Sequence, residues 1–225
     1  MSTALIIGAG QGLSASLARE LFGRGHKIVL AARDTSDLGD LAAETQATLV
    51  RCNARDRDDM AALFDAVDTL GGPLDVAIYN PSARAPGGIS EIDPEVAENA
   101  VLVSAYGAFL MAHHSAKRMQ LQGSGAMLFT GASAGVKGFS KSSVFAMGKF
   151  ALRGLCQSLA RELHPQGIHI GHFVIDGAIA KTADDNAGNT KLNPDAIAQS
   201  YMHFLDQHPS SWAWEIELRP FVERF

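Results

Sequence analysis

Three closely spaced glycines near the start of the chain form the clearest chemical pattern in the sequence. They follow an apolar run at residues 4–7 and come directly before an amphipathic stretch. Glycines in such a turn let backbone N–H groups approach a pyrophosphate at the positive end of a helix. The pattern therefore predicts a dinucleotide-binding loop. Its predicted members are Gly8, Gly10, Gln11, Gly12 and Leu13.

The end of the second apolar run indicates which dinucleotide to expect. Proteins that bind NAD usually place a carboxylate there for the ribose hydroxyls, whereas this chain has Ala32 followed by Arg33. A guanidinium group suits the 2′-phosphate of NADP. The acidic Asp34 and the uncharged Gln11 weigh in the other direction. We expect NADP(H) rather than NAD(H) as the preferred cofactor.

Six apolar runs alternate with amphipathic stretches, and this order predicts the fold. The runs are hydrophobic throughout, which is typical of strands covered on both faces. Strands that alternate with helices require a parallel sheet with right-handed crossovers. We therefore predict a doubly wound α/β Rossmann fold, with a mostly parallel seven-stranded sheet and helices on both faces. The expected strands are 4–7, 27–31, 48–51, 74–79, 126–130 and 168–175, and the expected helices are 12–24, 36–45, 56–70, 94–122 and 143–164.

The C-terminal part of the chain supplies the seventh strand. Asn193-Pro194-Asp195 is typical of a helix start, and the helix is expected to end near Gln207. Apolar and polar residues then alternate over 212–218, which predicts a half-buried edge strand. We favour packing of this edge on its own helix over a subunit contact. Residues 194–225 are expected to belong to a single domain spanning 1–225.

Composition excludes several classes of function. The chain has 225 residues, of which 47% are hydrophobic, and a formal net charge of −5 with scattered lysines and arginines. Such a chain can bury one large core but offers no basic surface for nucleic acid or an anionic membrane. It also has no uninterrupted apolar run of about eighteen residues. We expect a cytoplasmic protein that binds neither nucleic acid nor a membrane.

Cysteines and histidines give no indication of redox or metal chemistry. Cys52 and Cys156 are the only cysteines and are predicted to be buried thiols. The adjacent histidines at 113–114 diverge by about 100° on a helix. Those at 169 and 172 fall on opposite faces of a strand. We predict no metal site.

These features together resemble the short-chain dehydrogenase/reductase family, and the resemblance covers nearly the whole chain. Gly8, Gly12 and Ser14 match the family's TGxxxGxG motif, with Ile7 in place of its Thr and Ser14 in place of its last Gly. Asn80 matches the second Asn of the family's NNAG motif.

The resemblance also assigns further residues to the expected cofactor pocket. It places Asn53 and Ala54 beside the adenine, and it makes Asn80 a strand-end amide that steadies the sheet. Gly177 and Thr182 are placed at the nicotinamide end. A small substrate is expected under the loop at 178–193.

The family's catalytic positions are the most altered part of the sequence. Its Asn, Ser, Tyr and Lys correspond to Ser104, Ala132, Phe145 and Lys149, so Lys149 alone is retained. In the family, Tyr protonates the alkoxide that hydride transfer leaves, and Ser bonds the carbonyl oxygen. Ala132 and Phe145 can do neither. Lys149 also binds the nicotinamide ribose in the family, so its retention favours cofactor binding.

Few hydroxyl groups are available to replace the lost donors. Ser133 is the candidate for the missing serine, although the strand period points it to the opposite face unless the following turn brings it back. Ser142 and Ser143 are interpreted as helix-capping residues. Tyr79 and Tyr106 are interpreted as packing or interface residues.

Two functional hypotheses remain open. The first is an NADP-dependent oxidoreductase with a nonstandard proton path, acting on an activated C=C or C=N bond or relaying protons through water and Lys149. The second is a catalytically silent dinucleotide-binding protein, a sensor or an assembly partner. We favour the first because most of the cofactor apparatus survives. The resemblance further implies a homodimer or homotetramer in which the helices at 94–122 and 143–164 face their mates.

Overall fold

A seven-stranded sheet runs through the computed structural model, which describes residues 1–181 and 187–223. The strand order is β3-β2-β1-β4-β5-β6-β7, and all neighbouring strands pair in parallel. The predicted doubly wound Rossmann architecture is confirmed. The strands are β1 (Thr3–Ile7), β2 (Lys27–Ala32), β3 (Thr48–Arg51), β4 (Leu74–Tyr79), β5 (Gly125–Thr130), β6 (Ile168–Ile175) and β7 (Glu215–Leu218).

Helices cover both faces of this sheet. In β1, Leu5 and Ile7 pack on one face while Ala4 and Ile6 pack on the other. Because both faces are buried, the central strands are hydrophobic at most positions. The helices are α1 (Leu13–Gly23), α2 (Gly39–Thr45), α3 (Arg57–Thr69), α4 (Pro94–Val101), α5 (Gly107–Gln122), α6 (Ser143–Leu163) and α7 (Pro194–Leu205). None of the helices in the described part of the chain combines the length and the apolar character needed to cross a membrane.

Some helices begin at a side chain that caps their first backbone N–H groups, and others begin without one. Asn193 accepts hydrogen bonds from the backbone N–H groups of Asp195 and Ala196 at the start of α7, as the sequence predicts. In α2 the prediction was wrong at the start. The helix begins at Gly39, and no side chain caps it.

The helix predicted over 94–122 is interrupted by one widened turn. Residues Leu102–Tyr106 form a π-helical turn between α4 and α5. This turn lies next to a close contact with β4, since a Cβ atom on Gly107 would lie 2.2 Å from the Tyr79 hydroxyl oxygen and 2.6 Å from the Ala54 carbonyl oxygen. Such turns frequently occur at functional sites. Here the widened turn contains Ser104.

The C-terminal edge of the sheet is shorter than predicted. Only Glu215–Leu218 pair with β6, and both tryptophans precede the strand. Trp212 stacks on the His169 ring with centroids 4.3 Å apart, and Trp214 packs on the opposite side of the sheet from Ile216. The edge strand predicted over 212–218 is therefore wrong at its start, because the regular strand begins only after Trp214. The packing of Ile216 on the α7 side agrees with an edge that contacts its own helix.

Both cysteines are buried, as predicted. Burial raises the pKa of the Cys52 thiol to about 12. Within residues 1–181 and 187–223, no three His, Cys, Asp or Glu side chains come together in an arrangement that could hold a metal ion.

Candidate functional site

The glycine loop joins β1 to α1 in a conformation that requires glycine at its first position. Gly8 has φ +80°, and a Cβ atom there would lie 2.7 Å from the Pro81 backbone nitrogen. Helix α1 begins after Gly12, and no side chain caps its first N–H groups. Uncapped N–H groups at a helix start are available to an anion, so the loop can accept a pyrophosphate.

A chain of hydrogen bonds fixes this loop to the end of β4. Asn80 Nδ2 donates to Ser14 Oγ over 2.8 Å, and Ser14 Oγ donates to the Gly8 carbonyl over 2.9 Å. The backbone N–H of Asn80 also bonds to the Ile7 carbonyl. Asn80 and Ser14 therefore hold the loop in place, while Asn80 also borders the space beside it.

Two neighbouring cavities border the loop and share Gly8 and Asn80. The first, of about 420 Å³, is lined by the five predicted loop residues and by residues 179–181 on the other side. The second, of about 670 Å³, extends to the ends of β2 and β3, where it is lined by Arg33, Asn53 and Ala54. The structure therefore places most of the predicted cofactor residues along one continuous path.

Arg33 is exposed at the end of this path. Asp34 and Gln11, the two residues that weighed against NADP, are hydrogen-bonded to other groups. The Asp34 carboxylate accepts a hydrogen bond from the Ser36 backbone over 2.9 Å, and this contact holds the pKa of Asp34 below its usual value. The Gln11 side chain donates to the Asp37 carbonyl. The Arg33 guanidinium thus faces the second cavity without a carboxylate partner among the described residues.

Of the two residues predicted at the nicotinamide end, Gly177 does not line these cavities. Gly177 follows β6 with φ +147° and packs against Leu192 and Pro220, outside the lining of both cavities. Thr182 lies outside the described residues. Asp176, beside Gly177, is buried and ion-paired with Lys137 at 3.5 Å.

Lys149 lies buried at the carboxyl end of β5. Only 2% of its surface is exposed, and its ammonium group donates to the Thr130 carbonyl over 2.8 Å. Burial, with a smaller contribution from the positive charge of Arg84, lowers the pKa of Lys149 to about 8. At neutral pH the group carries a proton that it can release more readily than an ordinary lysine.

Phe145 lies one helical turn before Lys149 and is itself 8% exposed. Its ring centre is 5.9 Å from the Lys149 ammonium and 4.1 Å from the guanidinium carbon of Arg84. The ring cannot titrate. It provides instead an apolar surface that holds a permanent cation beside the retained lysine.

Ser104 is buried in the π-helical turn and supports the loop after β4. Its hydroxyl is 3.4 Å from the Ala83 nitrogen and 3.5 Å from the Ala83 carbonyl oxygen, which are long hydrogen bonds. A Cβ atom on Gly148 would lie 2.8 Å from Ser104 Cβ, so the serine also packs closely against α6. In this structure the hydroxyl is engaged with the loop backbone.

Ser133 begins a short 3₁₀ turn over Ser133–Gly135, after Ala132 in extended conformation. Its carbonyl oxygen accepts from the backbone N–H groups of Val136 and Lys137. The side chain is half-buried, and its hydroxyl makes no hydrogen bond within the described part of the chain. Ser133 therefore remains available as a donor near the end of β5.

The hydroxyl groups of Tyr79 and Tyr106 are hydrogen-bonded away from Phe145, and Ser142 makes no capping bond. Tyr79 is buried, donates to the Val103 carbonyl, and has its pKa raised by burial. The Tyr106 hydroxyl accepts from Arg57 over 2.7 Å. Ser142 occupies the N-cap position of α6, but its side chain makes no capping bond, so the predicted capping role is wrong.

A model of the short chain dehydrogenase family matches residues 2–190 of this sequence. The chain belongs to this family. A short-chain dehydrogenase from Rhodopseudomonas palustris has a solved structure that is 31% identical, with a TM-score of 0.88 over 98% of this chain and 99% of that one. A metagenomic short-chain oxidoreductase solved with NADP is 23% identical, with a TM-score of 0.84 over 98% of each chain.

Among curated proteins, the 3-oxoacyl-[acyl-carrier-protein] reductase MabA of Mycobacterium tuberculosis is 28% identical over 159 residues. That match covers 71% of this chain and 62% of the mycobacterial protein. The family resemblance inferred from the sequence is confirmed, whereas the roles of single residues stay predictions.

Arg84 is the site residue that sequence reasoning missed. It lies four positions after Asn80, on the loop that Ser104 holds, and its contact with Phe145 joins distant parts of the chain. One signal was available, since a basic residue following the strand-end Asn80 must lie near the carboxyl edge of the parallel sheet.

Proposed function

We propose that this short-chain dehydrogenase is an NADP(H)-dependent oxidoreductase that transfers hydride to a small substrate without a tyrosine acid. The observation that carries the proposal is the continuous path from the glycine loop to Arg33, Asn53 and Ala54, with Lys149 buried at the end of the neighbouring strand. A pocket at the carboxyl ends of parallel strands is the usual place for a dinucleotide in this fold.

The preference for NADP rests on the surroundings of Arg33. Its guanidinium has no carboxylate partner in the described residues, whereas the Asp34 carboxylate already accepts from Ser36. Arginine can bind a phosphate through two parallel hydrogen bonds. The likeness to the NADP-bound metagenomic protein concerns the fold at 23% identity, so Arg33 carries the assignment.

The Arg33→Gln substitution tests this preference. We expect the protein to bind NADPH more tightly than NADH in a fluorescence titration, and Arg33→Gln to weaken NADPH binding by about 10- to 100-fold through the loss of charged hydrogen bonds. NADH affinity should hardly change. Arg161→Gln, at an exposed position near the end of α6, is the matched control. Tighter binding of NADH would contradict the preference, and binding of neither dinucleotide would end the proposal.

The proton path is the unusual part of the proposed reaction. NADPH, when bound, supplies hydride, and the reduced bond then needs a proton that Phe145 cannot give. Loss of a positioned acid costs roughly 10²- to 10⁴-fold in rate. Lys149, with its pKa near 8, can deliver a proton through water at neutral pH, and the free Ser133 hydroxyl can bond the substrate. An activated C=C or C=N bond depends less on a strong acid than an ordinary carbonyl does.

Phe145→Tyr should create or raise carbonyl reductase activity, because it restores a hydroxyl one turn before Lys149. The measurement is NADPH oxidation with a panel of aldehydes and ketones, which the variant should reduce faster than the parent by up to about 10²-fold. Phe150→Tyr, on an exposed ring of the same helix, is the control. No gain with NADPH affinity intact would mean that the missing hydroxyl does not limit the reaction.

A silent dinucleotide-binding protein is the second candidate function. The engaged Ser104 hydroxyl and the Phe145 ring favour it, since neither can take part in proton transfer as the family's residues do. NADPH binding without turnover of any carbonyl, imine or enone substrate would support this function over the first.

We also propose that the protein is a homodimer or homotetramer that pairs through the outer faces of α5 and α6. These faces expose large apolar side chains, which single-chain proteins rarely cluster on their surface. They are Phe109 and Leu121 on α5, and Met147 and Phe150 on α6.

Light scattering of the purified chain at micromolar concentration should therefore give the mass of two or four subunits. Phe109→Lys should shift the mass towards one subunit, since it places a charge in the proposed contact. A monomeric mass for the unsubstituted chain would contradict this assembly.

A further inference from the structure

Arg84 lies against Phe145 but takes part in none of the steps proposed above. Its guanidinium carbon lies 4.1 Å over the Phe145 ring, at the position where the family places its acid. The ring is nearly buried while Arg84 is exposed, so Phe145 forms a fixed surface and Arg84 the group that meets solvent or a ligand.

The charge of Arg84 has no partner in the structure. The residues described make neither a hydrogen bond nor an ion pair with it. Four other arginines in the described part of the chain are each paired with a carboxylate. Arg19 pairs with Glu44, Arg24 with Asp206, Arg118 with Asp68 and Arg153 with Glu215. A guanidinium stacked on a ring uses its face and leaves its N–H donors at the edge for a ligand.

The surroundings add to this positive charge. Lys149 lies near the same ring at 5.9 Å, and within residues 1–181 and 187–223 its ammonium group bonds only to a neutral group, the Thr130 carbonyl. The carboxylates of Asp176 and Glu215, at neighbouring strands, are already paired with basic side chains. Asp176 is paired with Lys137, and Glu215 with Arg153 and His172. Two cations on one ring, with no acid between them, produce a local field that attracts an anion.

The loop that carries Arg84 is held on both sides of the residue. Ala83 contacts the Ser104 hydroxyl through its backbone N–H and carbonyl groups. Ala85 is buried against Ala100 and Val144, the residue before Phe145. The backbone at Arg84 is therefore positioned before a ligand arrives, which reduces the entropy that binding would cost.

We propose that Arg84, stacked on Phe145, binds a carboxylate of the substrate, so that the site acts on small oxo or unsaturated acids. This inference rests on the proposed oxidoreductase function. A guanidinium does not release its proton near neutral pH, so Arg84 recognises and orients the substrate without replacing the missing acid. Its edge can hold both carboxylate oxygens through parallel hydrogen bonds. The change from Tyr to Phe then exchanges a proton donor for a support that positions an anion-binding arginine.

The test compares acids with their neutral esters on the NADP-loaded protein. The probes are 2-oxobutanoate, 4-oxopentanoate and crotonate, each beside its methyl ester, with binding followed by calorimetry and turnover by NADPH oxidation. At least one acid should bind about 10- to 100-fold more tightly than its ester. Arg84→Met should remove this difference while ester binding and NADPH affinity stay unchanged.

Three further variants locate the effect. Arg161→Met removes an exposed arginine of α6 and should leave the preference for acids intact. Phe145→Leu removes the aromatic surface and should reduce the preference while the charge stays. Arg84→Lys should recover only part of it, because an ammonium cannot hold both oxygens in the same geometry.

Several results would overturn the inference. Equal binding of acids and esters would do so, and so would an Arg84→Met variant that loses NADPH affinity instead, since Arg84 would then serve the cofactor. Failure of the proposed function looks different, because the unsubstituted protein would then bind no dinucleotide or would bind NADPH without turning over any substrate. The acids are then titrated into the cofactor-free protein, where an Arg84-dependent preference over the esters would still support the carboxylate site.

Discussion

The ammonium group of Lys149, buried against the Thr130 carbonyl at the end of β5, is the constraint on which the rest of the site depends. Burial lowers the pKa of this lysine from 10.5 to about 8, which corresponds to a cost to the folded state on the order of 3 kcal/mol at neutral pH. Because the pKa of Lys149 is lowered in the folded state, the cost to stability depends on pH. Below pH 8 both states carry the proton and the full cost applies, and between pH 8 and 10.5 the cost disappears as the folded state loses its proton first.

A folded protein can retain a buried ammonium group at this cost in stability when the positive charge serves its function. In the alignment that the resemblance predicts, the lysine is kept, while Phe145 and Ala132 replace the groups that share the proton with it in the family. Phe145 holds Arg84, and Ser104 holds the loop that carries Arg84. In the proposed function, the site stabilises negative charge where the family's residues donate a proton. Phe145, Ala132 and Arg84 do not line the two cavities beside the glycine loop.

The sequence predicts those parts of the molecule whose structure is determined by residues close together in the chain. Strands buried on both faces leave continuous apolar runs, and the turn at Gly8 needs a glycine whatever surrounds it, so β1 and the loop after it are predicted correctly. The cap at Asn193 is local in the same way. By contrast, the π-helical turn at Leu102–Tyr106 adjoins the close approach of Gly107 to Tyr79, a contact between distant segments that no period in the sequence reveals.

The same distinction applies to the site. Resemblance aligned Ser104 with a catalytic position, but only the packed structure brings its hydroxyl to Ala83. Asp34 and Gln11 counted against NADP until their hydrogen bonds to Ser36 and Asp37 were seen. The contact of Arg84 with Phe145 joins a loop to a helix across the sheet edge, so residue types alone could not predict it.

The most direct test of this account is an NMR titration of the lysine side chains, with Lys149→Met identifying the resonance of Lys149. The account predicts that Lys149 titrates near pH 8 and that Arg84→Met raises its pKa, because a neighbouring positive charge is removed. Titration of Lys149 near the value of an exposed lysine, about 10.4, would contradict it, since the ammonium group would then be neither buried nor close to a second cation.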